Sequence, residues 1–317
     1  MISSYSHHRI KYDIQNHRFV CEYQRSRDMV PYLTQPLVLN CDLTLMCNMK
    51  CTHCVARDMK RYVSGDLEVN EGLIEVINDS PFMVVVITGG EPLLPHCQTA
   101  MLKLVNGLRY KGIIVDTNGT IPPSEKVLEL FIKKNVLVRV SLDSMRIQDE
   151  IRLRKSVGPK GSSEETYMQK LALIPRLCAS GVKVAIQSVL TTVNSVSIQY
   201  IPQKLREWRI DQWYVQRMIP TSNKEITERL TKNLCYEDTF DCLERSARLL
   251  GIRCITKRDR RHNCVFLMVG NGQIYTQSEM GGEKIYLGRI GEIGNYYEFV
   301  CAPDHSARYY SPAATGS

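Results

Sequence analysis

Three thiols at a C-x3-C-x2-C spacing fall within the eight residues CNMKCTHC, from Cys47 to Cys54. A loop this short can turn three sulfurs toward one small object, and thiolates are soft ligands for zinc and iron. Structural zinc wants a fourth ligand, often from a second C-x2-C pair, and the sequence has no such pair. His53 lies inside the loop but, as the neighbour of Cys54, is poorly placed to reach the same ion. A catalytic zinc on three cysteines also satisfies the spacing. A [4Fe–4S] cube fits better: it takes one thiolate per iron, so three cysteines leave one iron open. Three cysteines buried in a core are the plain alternative, yet the intervening NMK and TH do not make a buried pattern.

The loop follows an apolar run, and so do the other polar signatures. Runs of the β-branched kind occupy 36–45, 82–88, 112–117, 136–143, 182–190 and 212–219. Amphipathic stretches separate them, three of which end in stop signals at 111–112, 133–135 and 180–181. Six β/α units in series predict parallel strands buried on both faces. The expected fold is α/β, a partial (βα)6 TIM-like barrel with a small C-terminal α+β appendage. Six strands are too few for the usual eight-stranded closure. Ligands in such folds sit at the C-terminal strand ends. There the sequence places the cysteines after the first strand, GGEP after the second, TNGT after the third and SLDS at the end of the fourth.

With CNMKCTHC after one strand and TGGEPLL (88–94) after the next, the chain resembles the radical S-adenosylmethionine superfamily. DTNGT (116–120) and RVSLDS (139–144) match its further landmarks, and the resemblance covers about residues 36–220. It implies that Cys47, Cys51 and Cys54 hold a [4Fe–4S] cluster. It further implies that S-adenosylmethionine chelates the open iron, that one electron cleaves the sulfonium, and that the resulting 5′-deoxyadenosyl radical takes a hydrogen atom from substrate. The cofactor carries the hard chemistry and the protein orients it.

The same resemblance assigns cofactor contacts. Gly89 and Gly90 let backbone approach a ligand closely, and with Glu91 and Pro92 they form the segment that receives the methionine amino group. Thr117, Asn118, Ser141 and Asp143 are expected on the ribose hydroxyls and the carboxylate, Ser141 ahead of Asp143, which could equally cap a helix. Arg152 matches the arginine that pairs with the carboxylate, with Arg154 as its rival. Gln187 sits where related enzymes carry a polar contact, Asn194 closes that stretch, and Met218 or Ile219 packs on adenine or in the core.

From about Thr221 the pattern changes. The expected division is an N-terminal extension over 1–35, a core over 36–220 and an appendage over 221–317. The stretch 236–251 reads as a helix stopped at Gly251, and Asn271-Gly272 between two β-rich runs signals a hairpin. This region resembles the C-terminal extension of the molybdenum-cofactor cyclase and SPASM-like peptide-maturase branch, in shortened or degenerate form. Cys264, the hairpin and LGRIGEI match, whereas the cysteine expected near Gln277 is absent. Either an auxiliary cluster is lost, or Cys254, Cys264, Cys301 and Cys235 gather around a second one. A free thiol among Cys235, Cys242 and Cys301 could instead donate a hydrogen atom to a substrate radical, giving epimerisation.

Composition frames these readings. The 317 residues are 44% apolar, carry twelve cysteines and a net charge of +8, and contain no apolar run long enough to span a membrane. The polar N-terminus lacks a signal-peptide core, so the cytosol is expected, where twelve cysteines point to metal or chemistry rather than disulfides. The basic run 257–262 suits an acidic substrate, a leader peptide or simply solvent. Two substrate classes stand: a ribosomally made peptide, epimerised or crosslinked, or a small-molecule, nucleotide or sugar precursor. Only about 35 residues precede the first strand, which leaves little room for a leader-binding domain. Flavodoxin or ferredoxin is the implied type of electron donor. A non-catalytic electron carrier would not need GGEP, TNG and SLD at neighbouring strand ends, and a zinc nucleic-acid module would need paired ligand sets, so nucleic acid is not an expected partner.

Overall fold

The computed structural model describes residues 2–3, 10–21, 38–157, 162–257, 265–277, 284–294 and 296. Three short strands, β1 (Ile2–Ser3), β2 (Ile10–Asp13) and β3 (Arg18–Cys21), form a small antiparallel sheet. Then β4 (Val38–Thr44), β5 (Val84–Gly89), β6 (Gly112–Thr117), β7 (Leu137–Ser141), β8 (Lys183–Leu190) and β9 (Gln212–Arg217) pair in sequence order, all parallel. Five of them fall within the expected runs, and β5 reaches one residue past its own, to Gly89. The joining helices are α1 (Ala56–Met59), α2 (Glu71–Asp79), α3 (Gln98–Gly107), α4 (Glu125–Lys133), α5 (Ile147–Leu153), α6 (Ser162–Ala179) and α7 (Ile201–Glu207).

The C-terminal region adds its strands to the same sheet. After α8 (Lys224–Thr231) and α9 (Tyr236–Leu249), strand β10 (Arg253–Lys257) pairs in parallel with β9. At the opposite edge β11 (Val265–Val269) pairs in parallel with β4, and β12 (Gln273–Gln277) and β13 (Lys284–Arg289) continue antiparallel. Among the described residues one ten-stranded sheet results, with eight consecutive parallel strands and β10 and β13 as its outer members. The expected hairpin forms: Gly272, at a positive φ of 86°, donates its N–H to the carbonyl of Val269 in the turn between β11 and β12. The reason the tail reads as foreign is its interrupted periodicity. The reason it joins the sheet is that β4 and β9 would otherwise expose unpaired edges.

Alternation along the strands sorts side chains to two faces. Val85, Ile87, Val115, Val138, Val140, Ile186 and Trp213 pack outward against helix residues such as Ile77, Met101, Leu104, Phe131, Ile174 and Leu205. Val84, Val86, Ile114, Leu137 and Ala185 face the other way and meet Tyr12 of the N-terminal hairpin. Gly112 is required there, because a Cβ on it would stand 2.0 Å from Cε1 of Tyr12. The hairpin therefore closes the inner face at the N-terminal ends of the strands, opposite the polar signatures.

His17 fastens the hairpin. Its Nε2–H donates to the carbonyl of Asn135 at 2.8 Å and its Nδ1 accepts from the Tyr12 hydroxyl at 3.1 Å. Burial pushes the imidazole down to about 4 from an ordinary 6.5. The unfolded chain thus binds the proton first, and stability fully present above 6.5 is lost as pH falls toward 4, by about 1.4 kcal/mol per pH unit. Wild type should lose more melting temperature than His17→Gln between pH 7 and pH 5 in differential scanning calorimetry. Equal losses would refute the role.

Candidate functional site

The cysteine loop is held between two backbone rails. On one side the turn after β5 docks: Gly90 N–H donates to the carbonyl of Thr44 at 2.6 Å and Glu91 N–H to that of Met46 at 2.9 Å. A Cβ on Gly89 would meet the Thr44 oxygen at 2.3 Å, and one on Gly90 the Met46 oxygen at 1.8 Å. These glycines are therefore needed for the turn to pack on the loop, a reason beyond the ligand approach expected from sequence. On the other side Lys50 N–H donates to Lys155, Thr52 N–H to Leu153 and Val157 N–H to the carbonyl of Asn48, at 2.6, 2.7 and 2.9 Å.

Glu91 joins the second and third strand ends. Its carboxylate, 0% exposed, accepts from Leu93 N–H, the Thr117 hydroxyl and Asn118 N–H at 3.0, 2.8 and 2.7 Å. Burial lifts its pKa to about 7, against the lowering effect of these three donors. Pro92 is buried behind it. Thr117 and Asn118 are thereby occupied within the protein. The Asn118 amide donates to Asn48 Oδ1 at 2.9 Å and stands 3.8 Å from Cys47 Sγ, while its Oδ1 accepts from Thr120. Their expected contacts to ribose or carboxylate would have to come from backbone or from groups still open.

Burial and neighbouring charge perturb Cys47 and Cys51. Cys51 is buried and Cys47 and Cys54 partly so. Burial pushes Cys51 up to about 12 and raises Cys47, and charge on the sibling sulfurs raises both further. Such a set suits a positively charged iron core that makes thiolates favourable. Among the described residues no three Cys, His, Asp or Glu side chains converge on a single ion. A cube makes no such demand, since each thiolate takes its own iron.

At the fourth strand end Asp143 is engaged within the protein. Its carboxylate is 0% exposed and faces Arg154, whose Nε lies 2.7 Å from Oδ2, while Oδ1 accepts from Val189 N–H at 2.7 Å. Burial alone would raise this group, but Arg154, then His53, then the Val189 N–H hold it below its ordinary value. Asn194 is likewise a strut: its amide donates to the carbonyls of Asp143 and Val189, and its oxygen accepts from Thr191. Met218 packs in a small core cluster with Leu153, Val189 and Leu230, so it takes the core role. Ser141 and Gln187 are register partners on β7 and β8, half-buried, with Tyr214 next in the row. Arg152 is exposed beside the cysteine loop, its carbonyl accepting from the Thr52 hydroxyl.

Four charged or polar groups escaped the sequence reading. Asp116 and Arg139 face each other on β6 and β7 in a bidentate pair at 2.6 and 2.7 Å, with the guanidinium 5.0 Å from the Tyr214 ring centre. Asp42, buried on β4, is pushed up to about 7 by burial. The signal was present as polar letters at alternate positions inside apolar runs. The late thiols lie elsewhere. Cys235 and Cys242 are exposed at the start and on the solvent side of α9, in the helical layer outside the sheet, and Cys254 packs against the outer core. Cys264 and Cys301 fall outside the described residues.

Gly90→Ala is expected to separate turn from loop, because the clash is with backbone that no rotamer change relieves. Iron bound after anaerobic reconstitution should fall well below wild type while far-ultraviolet circular dichroism is retained. Full iron content would contradict this packing.

Comparison with known proteins follows the same contour. The chain is 29% identical over 177 residues to the antilisterial bacteriocin subtilosin biosynthesis protein AlbA of Bacillus subtilis, covering 54% of this chain and 37% of that protein. It is 27% identical over 157 residues to GTP 3′,8-cyclase of Clostridium perfringens, 48% of this chain and 46% of the cyclase. The matches span well under two thirds of these relatives. In structure it is similar to native anSMEcpe with bound AdoMet, at a TM-score of 0.63 and 17% identity over 85% of this chain and 82% of that one. Streptococcus suis SuiB gives 0.58 and 16% over 76% and 60%. These last two show the fold alone. The radical SAM superfamily model matches residues 42–207, over half of the chain and the C-terminal ends of β4 to β8, and the chain belongs to that superfamily.

Proposed function

We propose that the protein is a radical S-adenosylmethionine enzyme that modifies a ribosomally made peptide. The observation that carries it is the joining of the cysteine loop, the GGEP turn and the TNG strand end by direct hydrogen bonds into one rigid platform. Cys47, Cys51 and Cys54 would hold three irons of a [4Fe–4S] cluster, leaving the fourth for the amino acid part of S-adenosylmethionine. When bound, the pair supplies a one-electron cleavage of the sulfonium and a radical able to take a hydrogen atom. The protein's part is placement. The Gly89–Glu91 backbone lies next to the loop and offers acceptors to an amino group, Arg152 is exposed to pair with a carboxylate, and Ser141 and Gln187 face inward below it. The half-buried Asp116–Arg139 pair lines the inner face on that side.

The peptide reading draws on relatives: the bacteriocin biosynthesis protein AlbA, and structures of SuiB bound to precursor peptide SuiA and of anSMEcpe with bound peptide. A second reading, a nucleotide or other small molecule, draws on GTP 3′,8-cyclase and an S-adenosylmethionine-dependent nucleotide dehydratase. No helix among the described residues is long and apolar enough to cross a membrane. An electron donor of flavodoxin or ferredoxin type completes the proposal, and the second cluster stays an open part of it.

Anaerobically reconstituted protein should carry about four irons per chain and release 5′-deoxyadenosine from S-adenosylmethionine under dithionite. Alanine at Cys47, Cys51 or Cys54 should abolish both. A colourless zinc protein would defeat the proposal. Mass spectrometry of a precursor peptide encoded beside the gene, set against nucleotide substrates, decides between the two substrate classes.

A further inference from the structure

Behind the cysteine loop lies a buried ionic network that the cofactor contacts do not use. Arg154 leaves the end of α5 and runs along the loop, fixed by the ladder in which Lys50 and Thr52 N–H groups meet the carbonyls of Lys155 and Leu153. Its side chain is 8% exposed. Nη1 points at Cys51 Sγ from 3.9 Å, Nη2 donates to Asp143 Oδ1 at 3.3 Å, and Nε lies 2.7 Å from Asp143 Oδ2. One guanidinium thus bridges a cluster cysteine and a carboxylate that has no exposure.

The surrounding charges balance without the thiolate. Glu150 accepts from Asp143 N–H and Ser144 N–H through one oxygen, and its other oxygen pairs with Lys170 Nζ at 2.6 Å. Two cations and two carboxylates therefore cancel. His53, with Nε2 at 3.4 Å from Asp143, completes the ring of groups around it. Hence Cys51 meets the positive end of a fixed dipole, with Arg154 near and Asp143 beyond it. In a low-dielectric interior such an arrangement acts strongly on added charge.

We infer that Arg154 sets the reduction potential of the cluster held by Cys47, Cys51 and Cys54, and that Asp143 acts as its counterweight. The inference rests on the radical S-adenosylmethionine reading. Reduction adds one electron to the cluster and its sulfurs, from dithionite or an iron–sulfur or flavin carrier. An N–H donor and a positive charge at the sulfur stabilise that added charge and raise the potential, as hydrogen bonds and net charge do for such clusters generally. Arg154 is then a positioning residue for the electron, not a ligand for S-adenosylmethionine, and its rivalry with Arg152 resolves into two jobs.

The test is an electron paramagnetic resonance redox titration of reconstituted wild type, Arg154→Gln, Arg154→Lys, Asp143→Asn and the Arg154→Gln/Asp143→Asn double variant, each with its iron and sulfide counted. Arg154→Gln should lower the midpoint potential and Asp143→Asn should raise it. The double variant should fall between them, and Arg154→Lys should lie nearer wild type than Arg154→Gln. Opposite shifts of this kind are not what loosened packing produces. The double variant also avoids leaving a buried carboxylate unpaired, should the single Gln variant fold poorly. Equal midpoints across cluster-loaded variants, or shifts of one sign only, would overturn the inference, as would cluster loss in Arg154→Lys, which keeps the charge. A wild type that takes up no cluster would overturn the radical reading as well, before any variant is compared.

Discussion

A single buried carboxylate makes the platform possible. Glu91 has no exposure and is satisfied by three donors from two strand ends, one of them its own turn and the others Thr117 and Asn118. A charge or half-charge so deep is tolerable only when each lone pair has a donor. That need draws β5 and β6 into fixed relation, and Asn118 passes the constraint on to Asn48 and the Cys47 sulfur. The loop that presents the thiols has little regular structure of its own. Its shape is borrowed from neighbours that cannot move without orphaning a buried polar group.

The two ends of the sheet divide the labour. At the N-terminal ends of the strands, Tyr12 and His17 close the inner face with packing and neutral hydrogen bonds. At the C-terminal ends, glycines remove bulk so that backbone meets backbone. Between them, the Asp116–Arg139 pair puts a matched charge where the surrounding run is apolar. A parallel sheet wrapped in helices can afford this, because the outer face alone supplies a continuous core through Val85, Val115, Val138 and Ile186.

Much of this was legible from residue types. Apolar, β-branched runs alternating with amphipathic stretches marked β4 to β9, and the cysteine spacing with GGEP marked the platform. What stayed hidden has a common cause: partners far apart in sequence. Nothing in SLDS shows that Asp143 will face Arg154 eleven residues on and Val189 on the next strand. Nothing near 253 or 265 shows that one strand joins β9 and the other β4, since both edges are open to any extended segment. The glycines of the turn were noticed, but for the approach of a ligand; their backbone neighbours Thr44 and Met46 belong to the end of β4 and the loop after it. The inward charges were readable only as alternation, a signal weaker than the apolar runs that contain it.

The ladder between the cysteine loop and residues 153–157 is made of main-chain groups. Lys50, Lys155 and Val157 supply N–H or C=O to it while their side chains stand in solvent. Sequence drift at these positions therefore leaves the sulfurs where they are, whereas Met49 and His53, buried between the same cysteines, have no such freedom. Within the eight positions Lys50 is the exposed one. An engineer wishing to alter the surface around the thiols can rewrite Lys50, Lys155 and Val157 without touching the chemistry beneath.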